Sequence, residues 1–162
     1  MKLFLRRDKS DDYARFIVSN ELGRDVYKIC GKKGACVDRM GLLNMNGDTL
    51  LKIAVAPFSF FTICNISKPT EHFTLFINGY KNVEYKFYGL DWNILKSSDG
   101  LSFEILKNDK SVVMIQNPGR ASNDNICTLE IFDTSKELFC IAVAACVNLI
   151  CHESSKAVAI AN

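Results

Sequence analysis

The sequence predicts a mostly β protein: a closed antiparallel barrel of about twelve strands enclosing one C-terminal apolar α-helix. Three observations predict it. Residues 138–151, Leu138-Phe-Cys-Ile-Ala-Val-Ala-Ala-Cys-Val-Asn-Leu-Ile-Cys151, are apolar on every side except at Asn148. Nearly everything before them reads as short runs rich in β-branched and aromatic residues. Turn signals separate those runs at short, regular intervals. A helix that is apolar all round must be surrounded by protein or lipid. Fourteen residues at ~1.5 Å each reach only about 21 Å, short of the ~30 Å hydrocarbon core of a bilayer. The helix therefore belongs inside a sheet closed around it.

The strands follow in order. Residues 13–19 form the first run, and Asn20-Glu-Leu-Gly23 turns into 26–30. Gly31-Lys-Lys-Gly34 turns into a strand at 36–39. Asn46-Gly47 is a two-residue hairpin signal between 42–45 and 49–56. Runs at 59–65, 73–78, 83–88 and 92–95 come next. Asp99-Gly100 opens 101–106, Asn108-Asp109 opens 112–116, and the Asn117-Pro-Gly119 loop leads to 126–132. Alternation is clean in several: Val83, Tyr85 and Phe87 oppose Glu84 and Lys86, while Cys127, Leu129 and Ile131 oppose Thr128 and Glu130. One wet face and one buried face is the pattern of an antiparallel sheet.

The helix is expected over about 134–152. Asp133, Thr134 or Ser135 can cap it, and Glu137 in the first turn suits the helix dipole. A last apolar alternation, 157–161, adds a closing strand. Asn148 must find a hydrogen-bond partner inside the barrel or reach its mouth, because an unsatisfied buried amide costs ~1–3 kcal/mol. With no repeat, linker or low-complexity tract, residues 1–162 form a single barrel domain.

Composition excludes several classes. Twenty Lys and Arg against 18 Asp and Glu give a net charge of +2, far from the basic signature of a nucleic-acid binder. The start, Met1-Lys-Leu-Phe-Leu-Arg-Arg-Asp8, lacks a secretory apolar region, so a cytoplasmic location is expected. Seven cysteines, at 30, 36, 64, 127, 140, 146 and 151, read as reduced structural thiols; Cys30 and Cys36 are the one pair placed to face each other across a hairpin. No second pair completes a zinc site, and no metal or cofactor is expected.

Taken together, these residues resemble the LURP-one-related family of tubby C-terminal-like domains, in its compact bacterial form. The resemblance lies in the order of elements and in local patterns over essentially the whole chain. Phe16-Ile-Val-Ser-Asn-Glu-Leu-Gly-Arg-Asp-Val-Tyr27 is an early strand-turn-strand, and Leu42-Leu-Asn-Met-Asn-Gly-Asp-Thr-Leu-Leu-Lys-Ile53 a strand closing on a glycine turn. Trp92-Asn-Ile-Leu-Lys-Ser-Ser-Asp-Gly-Leu-Ser-Phe-Glu-Ile105 is the middle hairpin. Ile126-Cys-Thr-Leu-Glu-Ile-Phe-Asp133, followed at once by the apolar helix, resembles the family's end. The resemblance implies a twelve-stranded barrel threaded by the helix, with phosphoinositide binding known in tubby domains and lipid movement in the related scramblases. The basic pair that serves phosphate in tubby domains does not align with residues of this chain.

Catalytic patterns are missing: there is no His-Glu-x-x-His, Gly-x-Ser-x-Gly, Walker loop or Gly-x-Gly-x-x-Gly. His72 and His152 stand apart. Cys151 and His152 are neighbours whose side chains diverge by roughly 100° on a helix. The expectation is a non-enzymatic binding module for an anionic lipid head group or a protein partner, with no nucleic acid and no transmembrane span. Lys32 and Lys33 are the candidate lipid- or anion-binding residues, since two lysines beside free backbone N–H groups can hold a phosphate; a solvated hairpin tip is their plainer reading. Arg6-Arg7 and 107–110 are balanced by Asp8 and Asp109 and read as solvated faces. The aromatic clusters, Phe58, Phe60 and Phe61 and then Phe73 to Trp92, read as core and barrel-rim packing. The alternative function is a membrane-associated, scramblase-like role using the C-terminal helix.

Overall fold

A computed structural model describes residues 1–8, 16–79, 83–98, 102–119 and 126–160, with side chains described as far as Ile150. Twelve strands make one antiparallel sheet: β1 (Lys2–Arg7), β2 (Phe16–Asn20), β3 (Asp25–Lys32), β4 (Asp38–Asn44), β5 (Thr49–Pro57) and β6 (Phe61–Lys68), then β7 (Glu71–Asn78), β8 (Glu84–Tyr88), β9 (Trp92–Lys96), β10 (Phe103–Lys107), β11 (Ser111–Pro118) and β12 (Ile126–Ile131). Their order is β8-β7-β6-β5-β4-β3-β2-β1-β12-β11-β10-β9. The sheet curls until its end strands, β8 and β9, lie side by side without a ladder between them among the described residues, so the barrel is nearly closed.

Most strands send alternate side chains inward, while β11 buries two neighbours in a row, Val113 and Met114. Leu51, Ile53 and Val55 of β5, Phe73, Leu75 and Ile77 of β7, and Leu129 and Ile131 of β12 are all buried. The same rule makes a strand of Lys2–Arg7, to which the sequence reading assigns none: Leu3 and Leu5 point inward, and β1 joins β2 to β12. The runs read as 36–39 and 42–45 are one strand, β4. Gly41, between the two runs, sits within a continuous ladder opposite Cys30 and Lys52.

The turn expected at Gly31 to Gly34 lies further along. Gly31 and Lys32 continue β3 opposite Met40 and Arg39, and the chain bends at Ala35 and Cys36. Asp38 holds the loop, its carboxylate accepting a hydrogen bond from the Gly34 N–H at 2.8 Å. A side chain has no room at position 34, where an added Cβ would lie 2.0 Å from the Val37 carbonyl oxygen.

The helix lies where it is expected and runs longer. Asp133 caps a single 3-10 turn, Thr134–Lys136, accepting from the Ser135 N–H at 3.1 Å and its hydroxyl at 2.6 Å. α1 (Glu137–Ile160) follows directly. From Phe139 through Val147 no side chain is more than 3% exposed, so the helix is a plug in the barrel lumen. The small Ala142, Ala144 and Ala145 let it fit a lumen filled by Leu, Ile and Phe from the strands. Residues 157–160, read as a closing strand, are helical. Alanine is the best helix former, and extending an existing helix adds one hydrogen bond per residue fixed. Residue 161 lies outside the described residues.

Because neighbouring strands alternate in direction, the barrel has two rims. The near rim carries the start of α1 and the β6–β7, β8–β9 and β10–β11 connections. The far rim carries the β3–β4, β5–β6 and β7–β8 connections, and α1 runs toward it.

Candidate functional site

Lys32 and Lys33 stand at the far rim, exposed, at the end of β3. The ladder between β3 and β4 places Arg39 directly opposite Lys32, and both side chains are exposed on the outer face. Directly opposed residues of a ladder bring their Cβ atoms to about 4.5–5.5 Å, and like charges so placed repel. Among the described residues none of the three cations forms an ion pair. Arg39 is the member of this cluster that sequence reasoning missed. Its signal was the strand register, which becomes readable only when the turn is placed at Ala35-Cys36 instead of between the two glycines.

Two strands away on the same rim, the β5–β6 tip displays aromatic side chains. Phe60 is 76% exposed and Phe58 53% exposed. Phe58 stacks on Phe61 with ring centroids 4.6 Å apart, and Phe61 stacks on Phe76 at 5.1 Å. The backbone is braced as well: the Phe58 N–H donates to the Phe61 carbonyl at 2.8 Å and the Gly79 N–H to the Phe60 carbonyl at 3.2 Å. Packing therefore accounts for only part of the expected aromatic set. Phe73, Phe87, Trp92 and Phe139 do interlock in the core, whereas Phe58 and Phe60 face solvent.

Phe76 also borders a cleft of about 570 Å³ over the β8–β9 seam, which Tyr85, Tyr88, Ile94, Lys86 and Lys96 line as well. Lys96 lies 5.1 Å from the Tyr85 ring centroid and Lys86 lies 5.3 Å from that of Tyr88.

The near rim is built differently. Glu71 accepts from both Lys68 and Lys136, each at 2.5 Å, and both ammonium groups sit over the Phe139 ring, at 5.0 and 5.5 Å. Hydrogen bonds from Lys136 and Lys68 hold the Glu71 carboxyl down at about 2, from an ordinary value of 4.5.

Inside the barrel the single polar residue of the apolar segment is satisfied. The Asn148 amide donates to Gln116 Oε1 at 2.9 Å and to the Ala144 carbonyl at 2.7 Å, and it accepts from the Cys127 thiol at 3.3 Å. Gln116 is itself buried. The buried thiols suit packing more than reaction: burial pushes Cys140 up to about 12, and the hydrogen bond with Cys146, together with burial, raises Cys64. Thiolate character is what makes a cysteine reactive. Cys30 and Cys36 do not face each other. Cys30 lies opposite Gly41, Cys36 is exposed in the loop beyond β3, and both are free. The Cys151 and His152 side chains lie outside the described residues.

Among the described residues no helix is long and apolar enough to cross a membrane. The apolar segment of α1 is enclosed by strands on all sides.

No family model matches the chain. No curated protein matches it. Among solved structures, the X-ray structure of a protein from Arabidopsis thaliana is similar, with a TM-score of 0.59 over 91% of this chain and 90% of that one, at 11% identity. At that identity the two chains share a fold, the barrel.

Proposed function

We propose that the chain is a non-enzymatic binding module of the tubby C-terminal-like kind, which takes an anionic lipid head group on the far rim through Lys32, Lys33 and Arg39. One observation carries the reading. Lys32 and Arg39 are opposed across a ladder, exposed, and without an acidic partner among the described residues. Mutual repulsion destabilises such a pair, and a phosphate between them relieves it while forming charge-assisted hydrogen bonds. Lys33 adds a third cation where the strand ends. The plant structure of similar fold supports the barrel on which this reading is built.

The test is co-sedimentation of the full chain with phosphatidylcholine vesicles and with mixed phosphatidylcholine–phosphatidylserine vesicles, at low and high salt. Binding to the anionic vesicles alone, weakened by salt and abolished in a Lys32→Ala, Lys33→Ala, Arg39→Ala variant, is the expected result. An unaltered affinity in the triple variant removes the proposal.

A further inference from the structure

We infer that the β5–β6 tip is a membrane anchor: Phe58 and Phe60 enter the interfacial layer of an anionic bilayer while the neighbouring cations hold its head groups. The inference rests on the head-group reading above and adds the part of the surface that distinguishes a bilayer from a soluble phosphate.

The first support is exposure without collapse. A phenylalanine 76% exposed leaves most of its ring in water, a position from which burial is favourable by the apolar area removed. The tip does not fold back to bury itself, because the stack from Phe58 through Phe61 to Phe76 and the two backbone hydrogen bonds fix it outward. Pre-organisation of this kind lowers the ordering cost of binding.

The second support is placement relative to charge. Arg39 pairs with Ala54 in the next ladder, and Phe58 lies four residues beyond Ala54 toward the far rim. At ~3.3 Å per residue that sets the aromatic tip up to about 13 Å ahead of the Lys32–Arg39 pair. A flexible lysine or arginine side chain spans much of that offset, with its apolar stem along the barrel wall and its charge at the head-group level. Aromatic tips leading and cations trailing match a bilayer, whose apolar layer lies deeper than its anionic one. A convex tip also suits a deformable surface better than it suits a rigid pocket.

The experiment uses the full chain with Phe60→Trp, an aromatic exchange at an exposed site that leaves the core intact. Trp92, which is buried, supplies the background signal in the parent protein. With vesicles of phosphatidylcholine and phosphatidylserine carrying brominated acyl chains, the variant's fluorescence should be quenched and blue-shifted while the parent's is unchanged. A Phe60→Ser variant should bind these vesicles roughly tenfold or more weakly, with its thermal unfolding unaltered.

If vesicles bind with salt sensitivity and the Trp at position 60 is not quenched, the anchor is overturned and the head-group reading stands. If quenching persists in a Lys32→Ala, Lys33→Ala, Arg39→Ala background on neutral vesicles, the anchor stands and the head-group reading falls. No vesicle binding by any form overturns both. A lipid-free change of oligomeric state in the Phe60→Ser variant, with vesicle affinity unchanged, would assign the tip to self-association and overturn the anchor.

Discussion

The two rims of this barrel are built from similar residues to opposite ends. At the near rim, lysines and a phenylalanine are paid out into internal contacts: Lys68 and Lys136 share Glu71 and both lie over Phe139, which packs on Phe73. At the far rim, Lys32, Lys33, Phe58 and Phe60 face outward, and Lys32 opposes a second cation. What differs is whether a partner lies within the chain. The near rim is where the helix enters, so each contact there fixes the plug. The far rim keeps its cations and rings exposed to solvent.

Mutations can break or sharpen that contrast. The largest effect should come from the plug both rims surround. Ala144→Glu puts an unpaired charge among fully buried side chains, and no cooperative unfolding transition should remain by circular dichroism. A normal melt would refute the central-helix architecture. Next comes a matched pair of truncations. Phe139→Ala at the near rim should cost about 3–5 kcal/mol in urea unfolding, whereas Phe60→Ala at the far rim should change stability by no more than about 0.5 kcal/mol. Equal losses would erase the distinction between the rims.

The smallest effect is ionic. The Glu71 carboxyl is lowered in the fold, so its contribution is present above an unfolded value of 4.5 and is lost as pH falls toward about 2. The melting temperature of the parent should exceed that of Glu71→Gln at pH 6, and the gap should close between pH 4.5 and 2. A gap independent of pH would mean that the lysines do not hold the charged form.

The sequence made the barrel and its plug legible because both depend on periodicity: alternation in the strands, and none in the helix. The agreement on about twelve strands conceals a missed strand, a divided one and a closing strand, 157–161, whose residues 157–160 are helical. Lys2–Arg7 is not legible as a strand because only two of its side chains, Leu3 and Leu5, enter the core. The runs 36–39 and 42–45 are one strand, whose alternation passes through Gly41, a residue with no side chain to show it. The turn read over Gly31 to Gly34 lies at Ala35 and Cys36, and the earlier placement conceals Arg39 opposite Lys32. Of the candidate site, then, the two lysines were legible and their arginine neighbour was not. The exposure of Phe58 and Phe60 was equally hidden, since an aromatic run reads as core until a hairpin tip is shown to carry it past the end of the lumen.

Asn148 has a consequence of a different kind. An apolar cylinder inside an apolar tube has many nearly equivalent angular settings, because hydrophobic contact is proportional to area and indifferent to direction. One amide breaks that degeneracy. Only when α1 is turned so that Asn148 meets Gln116 and Cys127 are its donors and acceptor all satisfied, and every other angle leaves buried polar groups unpartnered. Asn148 thus acts as the keyway of the plug: it selects a single rotational phase, and so fixes which face of α1 each strand of the wall meets.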